Sequence, residues 1–173
     1  DVAFRGAGVE LFDADGKAYL DFVAGIAVNA LGYGDEGLER AMREAIEGSV
    51  VHVSNLYRTA PGERLAEKLV ERTFADRVFF CNSGAEANEG AFKIARRWGR
   101  AMGGSSKHEI IALRGAFHGR LFGTLAATDR PAYRAPFRPL AGGISIVERD
   151  MEELEAALNS ETVAAVIAAP VQG

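Results

Sequence analysis

An α/β fold is predicted by three features of the sequence. Four short, almost wholly apolar runs occur at Val78–Cys81, Ile110–Leu113, Ile144–Val147 and Val163–Ala168; helical stretches at Ala85–Met102 and Met151–Leu158 lie between them; and a polar or glycine residue precedes every run. Runs that are apolar throughout suit strands buried on both faces, and their alternation with helices is the pattern of a mostly parallel sheet covered on both sides. Ahead of this region, Val9–Phe12 and Ala18–Phe22 are joined through Asp13-Ala14-Asp15-Gly16, an Asp-Gly hairpin signal. Leu38, Ala41, Met42, Ala45 and Ile46 recur at i, i+3, i+4, i+7 and i+8, so an amphipathic helix is expected with Asp35 capping it and Gly48 stopping it. Pro61 opens a second helix carrying Leu65, Ala66, Leu69, Val70 and Thr73, since proline in the first turn forfeits no hydrogen bond. Gly103-Gly104-Ser105-Ser106 reads as a loop.

Composition narrows the function classes. The 173 residues are 48% apolar and 25% charged, values of an ordinary globular domain. Twenty Lys and Arg against 24 Asp and Glu leave a net charge of -4, so neither nucleic acid nor an anionic membrane surface is an expected partner. The longest apolar runs, such as Val163–Val171, fall far short of the roughly 20 residues a membrane helix needs. With one cysteine, Cys81, and no charged-then-apolar leader pattern at the start, a reducing, cytoplasmic location is expected, and no metal site. The chain begins at Asp1 without a methionine and stops at Gly173 inside a motif-like stretch, so it is expected to be part of a longer protein.

The stretch Asn82-Ser83-Gly84-Ala85-Glu86-Ala87-Asn88-Glu89 carries the most information. It follows a predicted buried strand and opens a long helix, where the first amides lack internal partners and the helix dipole is positive, an arrangement suited to a phosphate. Ser83-Gly84-Ala85-Glu86 equally satisfies the S-x-x-E capping box of helices that bind nothing. The position at the carboxyl end of a strand favours a ligand. Neither a Walker loop nor G-x-G-x-x-G is present.

Phe80-Cys81-Asn82-Ser83-Gly84-Ala85-Glu86-Ala87-Asn88-Glu89-Gly90-Ala91-Phe92-Lys93, followed by Gly115-Ala116-Phe117-His118-Gly119-Arg120, resembles the class III pyridoxal-phosphate aminotransferases. Leu20–Gly32 and Phe122–Thr128 are similar to the branch of that family that acts on acetylornithine. The resemblance runs nearly the length of this chain and covers about the first half of the family's. It implies the amino-terminal part of a fold-type I pyridoxal-phosphate transferase. Residues 1–60 would form a small segment of hairpin, helix and site-rim loop, and 61–173 part of the large cofactor-binding domain.

By the same resemblance, Gly84 and Ala85 donate amides to the phosphate of pyridoxal 5'-phosphate, while Ser83 adds a contact or caps the helix. Phe117 lies against the pyridine ring and Arg120 forms a bidentate fork to a substrate carboxylate. Without the resemblance, Phe117 would read as a core residue and Arg120 as a solvated surface charge. His118 fits a neutral packed imidazole as well as a proton carrier. Ser54-Asn55-Leu56-Tyr57 would lie near the site mouth, close to a neighbouring subunit of a homodimer. The implied reaction is ping-pong transfer of an amino group from N-acetylornithine to 2-oxoglutarate in arginine biosynthesis, with ornithine, succinylornithine and 4-aminobutyrate as competing donors.

Two departures qualify this expectation. Transamination needs a lysine that forms an imine with the cofactor, and Lys17, Lys68, Lys93 and Lys107 stand in no motif resembling it. Lys93 is nine residues beyond Gly84, roughly 13 Å along a helix, and Lys107 is expected in solvent. No catalytic residue is therefore expected within these residues, the imine lysine lying downstream. Val166–Gly173 resembles an E-P-[IV]-Q-G stretch but places Ala169 where the family has glutamate. The competing reading is a truncated or degenerate homologue that binds cofactor or phosphate weakly, or assembles without catalysis.

Overall fold

The computed structural model describes residues 3–49, 52–54 and 56–172, in two units, Asp1–Asp76 and Arg77–Gly173. In the first unit β1 (Ala3–Ala7), β2 (Glu10–Asp13) and β3 (Ala18–Leu20) form an antiparallel sheet in that order. The β2–β3 hairpin turns at the predicted Asp-Gly step, pairing Glu10 with Leu20 and Phe12 with Ala18. Asp13 holds the turn: Oδ1 accepts from the amides of Asp15 and Lys17 at 3.0 and 2.9 Å, and Oδ2 from the Tyr19 hydroxyl at 2.9 Å. β1 was not expected, because Arg5-Gly6-Ala7 shows no apolar alternation; its partner β2 supplies the order.

A second unforeseen feature is α1 (Ala24–Ala27), a single left-handed turn in which Ala24, Gly25, Ile26 and Ala27 have φ of 47, 63, 64 and 63°. That conformation costs about 1–2 kcal/mol for each residue bearing a Cβ. Asp21 braces it, Oδ1 accepting from the amides of Val23 and Ala24 and Oδ2 from the Tyr33 hydroxyl at 2.6 Å. These bonds, the Tyr33 hydroxyl first, hold the Asp21 carboxyl below its ordinary pKa. α2 (Glu36–Glu47) forms as predicted, with the Asp35 carboxylate accepting from the Leu38 amide at 2.7 Å and Gly48 ending it. α3 (Ala60–Arg72) carries Pro61 in its first turn and is capped by Thr59. The first compact unit runs through α3 to Asp76 and the second begins at Arg77.

The second unit contains α4 (Gly84–Gly103), β4 (Glu109–Leu113), α5 (Phe122–Ala126), α6 (Pro131–Arg134), β5 (Ile144–Val147), α7 (Met151–Ala157) and β6 (Val163–Ile167). Its strands are parallel in the order β5-β4-β6, with Ile110 opposite Ile144 on one side and Ala165 on the other. One predicted strand does not form. Val78–Cys81 has strand composition, but a strand also needs a hydrogen-bonded neighbour, and no described strand pairs with this run; Phe79 and Phe80 stand exposed.

Phe92 of α4 packs into the core with Ile110, Ala112 and Ala127, flanked by Ile144, Ile146 and Ile167. α4 runs antiparallel to the strands. Near its end, Gly99 faces the Lys107 carbonyl and Ala164 at the amino-terminal ends of β4 and β6, whereas its first turn meets the chain that follows β4. A Cβ on Gly99 would lie 2.9 Å from the Ala164 Cβ and press on the Lys107 carbonyl oxygen. Gly99→Ala in the whole protein is expected to destabilise it by about 1–3 kcal/mol, read as a lower urea midpoint. An unchanged midpoint would mean that α4 is not seated this closely. Lys107, expected in solvent, is instead half-buried: its stem lies along Gly103 and Nζ donates to the Ser160 carbonyl at 2.8 Å, because the two glycines clear a path for it.

Candidate functional site

The start of α4 is built by local chemistry. The Ser83 hydroxyl accepts from the Glu86 amide at 3.2 Å, so Ser83 is the helix cap. Glu86 turns its carboxylate back to the Asn82 amide at 2.7 Å. Together they satisfy two of the donors at this helix end and leave the amides of Gly84 and Ala85 without a partner among the described residues. Nothing lies within 4 Å of the position a Gly84 Cβ would occupy. Two amides without a partner, beside an unobstructed Gly84 at the positive end of a 20-residue helix, suit a phosphate.

The segment Phe117–Arg120, which follows β4, docks on this same helix end. Gly119 has φ 128°, and a Cβ there would come within 2.7 Å of the Ala85 Cβ and 2.8 Å of Thr124 Oγ1, so only glycine permits the approach. The peptide of His118 is clamped from both sides: its carbonyl accepts from Asn88 Nδ2 at 2.7 Å, and its amide donates to Thr128 Oγ1 at 2.9 Å. The Thr128 hydroxyl hydrogen faces the carbonyls of Gly119 and Thr124 at 2.8 and 3.0 Å. Glu89 Oε1 accepts from the Thr124 amide at 2.7 Å, tying α5 to the first turns of α4. Asn88, Glu89, Thr124 and Thr128 stand inside the quoted motif stretches, but the sequence gives them no role, because their bonds to the Phe117–Arg120 segment and between α4 and α5 span 9 to 35 residues.

The structure therefore brings Ser83, Gly84 and Ala85 to one end of α4 together with Phe117 and Arg120. Phe117 is 52% exposed in this chain, beside the α4 start. The Arg120 guanidinium stands 5.9 Å from the Phe117 ring centroid and 4.4 Å from that of Tyr133, and the two rings meet edge to face at 6.5 Å. His118 is the buried member, 5% exposed, with Nε2 lacking a partner among the described residues. Burial lowers its pKa, so the imidazole is neutral at physiological pH.

That shift makes a pH prediction. The unfolded chain gains a proton on His118 as pH falls through about 6.5 while the folded chain resists, so stability is lost on the acid side. The urea midpoint of the whole protein should fall between about pH 7 and about pH 5, and His118→Gln should flatten that fall. Equal pH dependence in the two proteins would show that His118 titrates normally.

A cavity of about 450 Å³ opens beyond the carboxyl ends of the strands, lined by Arg114, Gly115, Arg130, Glu148, Arg149 and Gln172. Its arginines are engaged by neighbouring groups. Arg114 pairs with Glu148 and with Asp129 at 3.6 Å, Arg130 Nη1 donates to the Gly115 carbonyl, and Arg149 Nη1 donates to Gln172 Oε1. None of the predicted site residues lines it. Lys93 is exposed nine residues along α4, and Lys107 is bonded at the opposite ends of the strands, so neither lysine of this unit reaches the α4 start. In the first unit Leu56 and Tyr57 are exposed; Asn55 lies outside the described residues, as does Gly173. Ala169 follows β6 in irregular chain. Among the described residues no group of acidic, histidine or cysteine side chains could hold a metal ion, and no helix is long and apolar enough to cross a membrane.

Residues 2–173 match the family model described as aminotransferase class-III. An acetylornithine aminotransferase of Methanocaldococcus jannaschii is 47% identical over 173 residues, covering 99% of this chain and 43% of that protein. The crystal structure of an (S)-enantioselective omega-transaminase from Thermomicrobium roseum superposes with a TM-score of 0.93 at 36% identity, covering 99% of this chain and 44% of that one. The omega transaminase from Pseudomonas jessenii in complex with PMP superposes with a TM-score of 0.90 at 28% identity, over the same shares of the two chains. The chain thus spans less than half the length of the proteins it matches.

Proposed function

The chain belongs to the class-III aminotransferases, and from that premise we propose that the protein of which it is part transfers an amino group from N-acetylornithine to 2-oxoglutarate with pyridoxal 5'-phosphate. The observation that carries the reading is the convergence of two amides at the α4 start with an exposed phenylalanine and an arginine on the adjoining segment, the amides and the guanidinium having no hydrogen-bond or ion-pair partner among the described residues. When bound, the cofactor supplies the electron sink that lets the amino group change carbon skeletons.

In this reading the amides of Gly84 and Ala85 hold the phosphate, and the Ser83 hydroxyl keeps the helix end open to it by capping from the side. Phe117 presents its face to the pyridine ring, an aromatic contact contributing on the order of 1 kcal/mol beyond its area. Arg120 offers its planar fork to the substrate carboxylate in both halves of a ping-pong cycle. His118, neutral and buried, fills space beneath the segment and shuttles no proton in the reaction. The residue that binds the cofactor covalently lies outside these 173 residues, and the chain alone is inactive. The whole protein would be a cytoplasmic homodimer of arginine biosynthesis.

A second reading, a homologue that binds cofactor without turning over both substrates, is favoured by one residue. Ala169 cannot form the ion pair that a glutamate at that place would offer. The deciding experiment is a donor panel with the purified whole protein and 2-oxoglutarate, following glutamate. N-acetylornithine should show the highest kcat/KM among it, succinylornithine, ornithine and 4-aminobutyrate, with parallel double-reciprocal plots. No glutamate from any donor would overturn the proposal in favour of the second reading.

A further inference from the structure

We propose that Tyr133 is a positioning residue for the carboxylate fork: its ring holds the Arg120 guanidinium by stacking and leaves the N–H donors free for substrate. This rests on the role of Arg120 given above. Arg120 has no ion pair and no hydrogen bond from its guanidinium among the described residues. A long flexible cation without a partner ordinarily samples many rotamers, and fixing it at the moment of binding costs affinity. An aromatic face is a support that does not occupy the donors. The 4.4 Å separation from the Tyr133 centroid is well inside cation–π range, and closer than the 5.9 Å to Phe117.

The support is itself anchored. Tyr133 sits on α6, which begins at Pro131. Arg134 of α6 pairs with Asp129 at 3.8 Å, and Asp129 Oδ2 accepts from the Gly115 amide at 2.9 Å. Arg130 Nη1 donates to the Gly115 carbonyl at 2.8 Å, and the Asp129 amide donates to the Ala116 carbonyl at 2.8 Å. Gly115 and Ala116 immediately precede Phe117. The same bonds therefore set Tyr133 and the Phe117–Arg120 segment in one frame, and the edge contact between Phe117 and Tyr133 closes it.

The test uses the whole protein and two readouts, KM for 2-oxoglutarate in the loaded enzyme and calorimetric binding of glutarate, a dicarboxylate with no keto group, to the apoprotein. Tyr133→Leu should raise both by about tenfold with kcat within about twofold and with cofactor affinity and absorbance unchanged. Tyr133→Phe keeps the face and should match the wild type. Wild-type values in Tyr133→Leu would overturn the proposal while leaving the role of Arg120 intact. Loss of cofactor binding or of thermal stability in both Tyr133→Leu and Tyr133→Gln would make Tyr133 structural and overturn it likewise. A wild-type protein that binds no glutarate and transfers no amino group would overturn the underlying reading as well.

Discussion

Gly84→Asp in the whole protein is expected to weaken pyridoxal 5'-phosphate binding by at least a hundredfold, about 2.8 kcal/mol. The substitution places a carboxylate in the open space at Gly84, beside the partnerless Gly84 and Ala85 amides that would hold the phosphate. Stability should not fall with affinity. The site is unobstructed, and an acidic residue in the first turn of a helix is stabilising. Gly84→Ala is the control: it keeps the amide and meets nothing within 4 Å, so its affinity should stay within about tenfold of wild type. Fluorescence titration of the apoproteins with the cofactor separates the cases. Gly84→Asp binding within about tenfold of wild type would show that the α4 start does not hold the phosphate.

Arg120→Ala should raise KM for both the amino donor and 2-oxoglutarate by about 10- to 150-fold, because a charge-assisted fork contributes about 1.5–3 kcal/mol. The cofactor absorbance should remain that of wild type, since Arg120 touches Phe117 and Tyr133 and no residue of the phosphate cradle. Arg120→Lys retains charge without the planar fork and should fall between the two. An effect on only one of the two substrates would assign carboxylate recognition in the other half-reaction elsewhere. Loss of bound cofactor would move Arg120 from substrate recognition to support of the site.

What the sequence disclosed and what it withheld divide along a physical line. Asp35, Ser83 and Pro61 act on groups within four residues, so the starts of α2, α4 and α3 were readable from spacing alone. Ile110–Leu113 and Ile144–Val147 were readable as strands because apolar residues on both faces suit a covered parallel sheet. Val78–Cys81 carries the same composition and forms no strand, since pairing is decided by a neighbour and not by the run itself. The left-handed turn at Ala24–Ala27 rests partly on Asp21 and on Tyr33, nine residues beyond Ala24, and no local propensity would suggest it for alanine or isoleucine. At the site, the motif residues Ser83, Gly84, Ala85, Phe117 and Arg120 were legible by resemblance. Asn88, Thr128 and Tyr133 were not, because each acts on a residue ten or more positions away whose nearness only the fold creates.

The central claim is that these residues form the cofactor and substrate half-site of a transaminase. It is tested most directly by mixing the purified, cofactor-loaded whole protein with N-acetylornithine and no keto acid, and following the absorbance of the bound cofactor. The account predicts one stoichiometric spectral change that 2-oxoglutarate reverses while releasing glutamate. A loaded protein whose spectrum is indifferent to N-acetylornithine and to every other amino donor would contradict it.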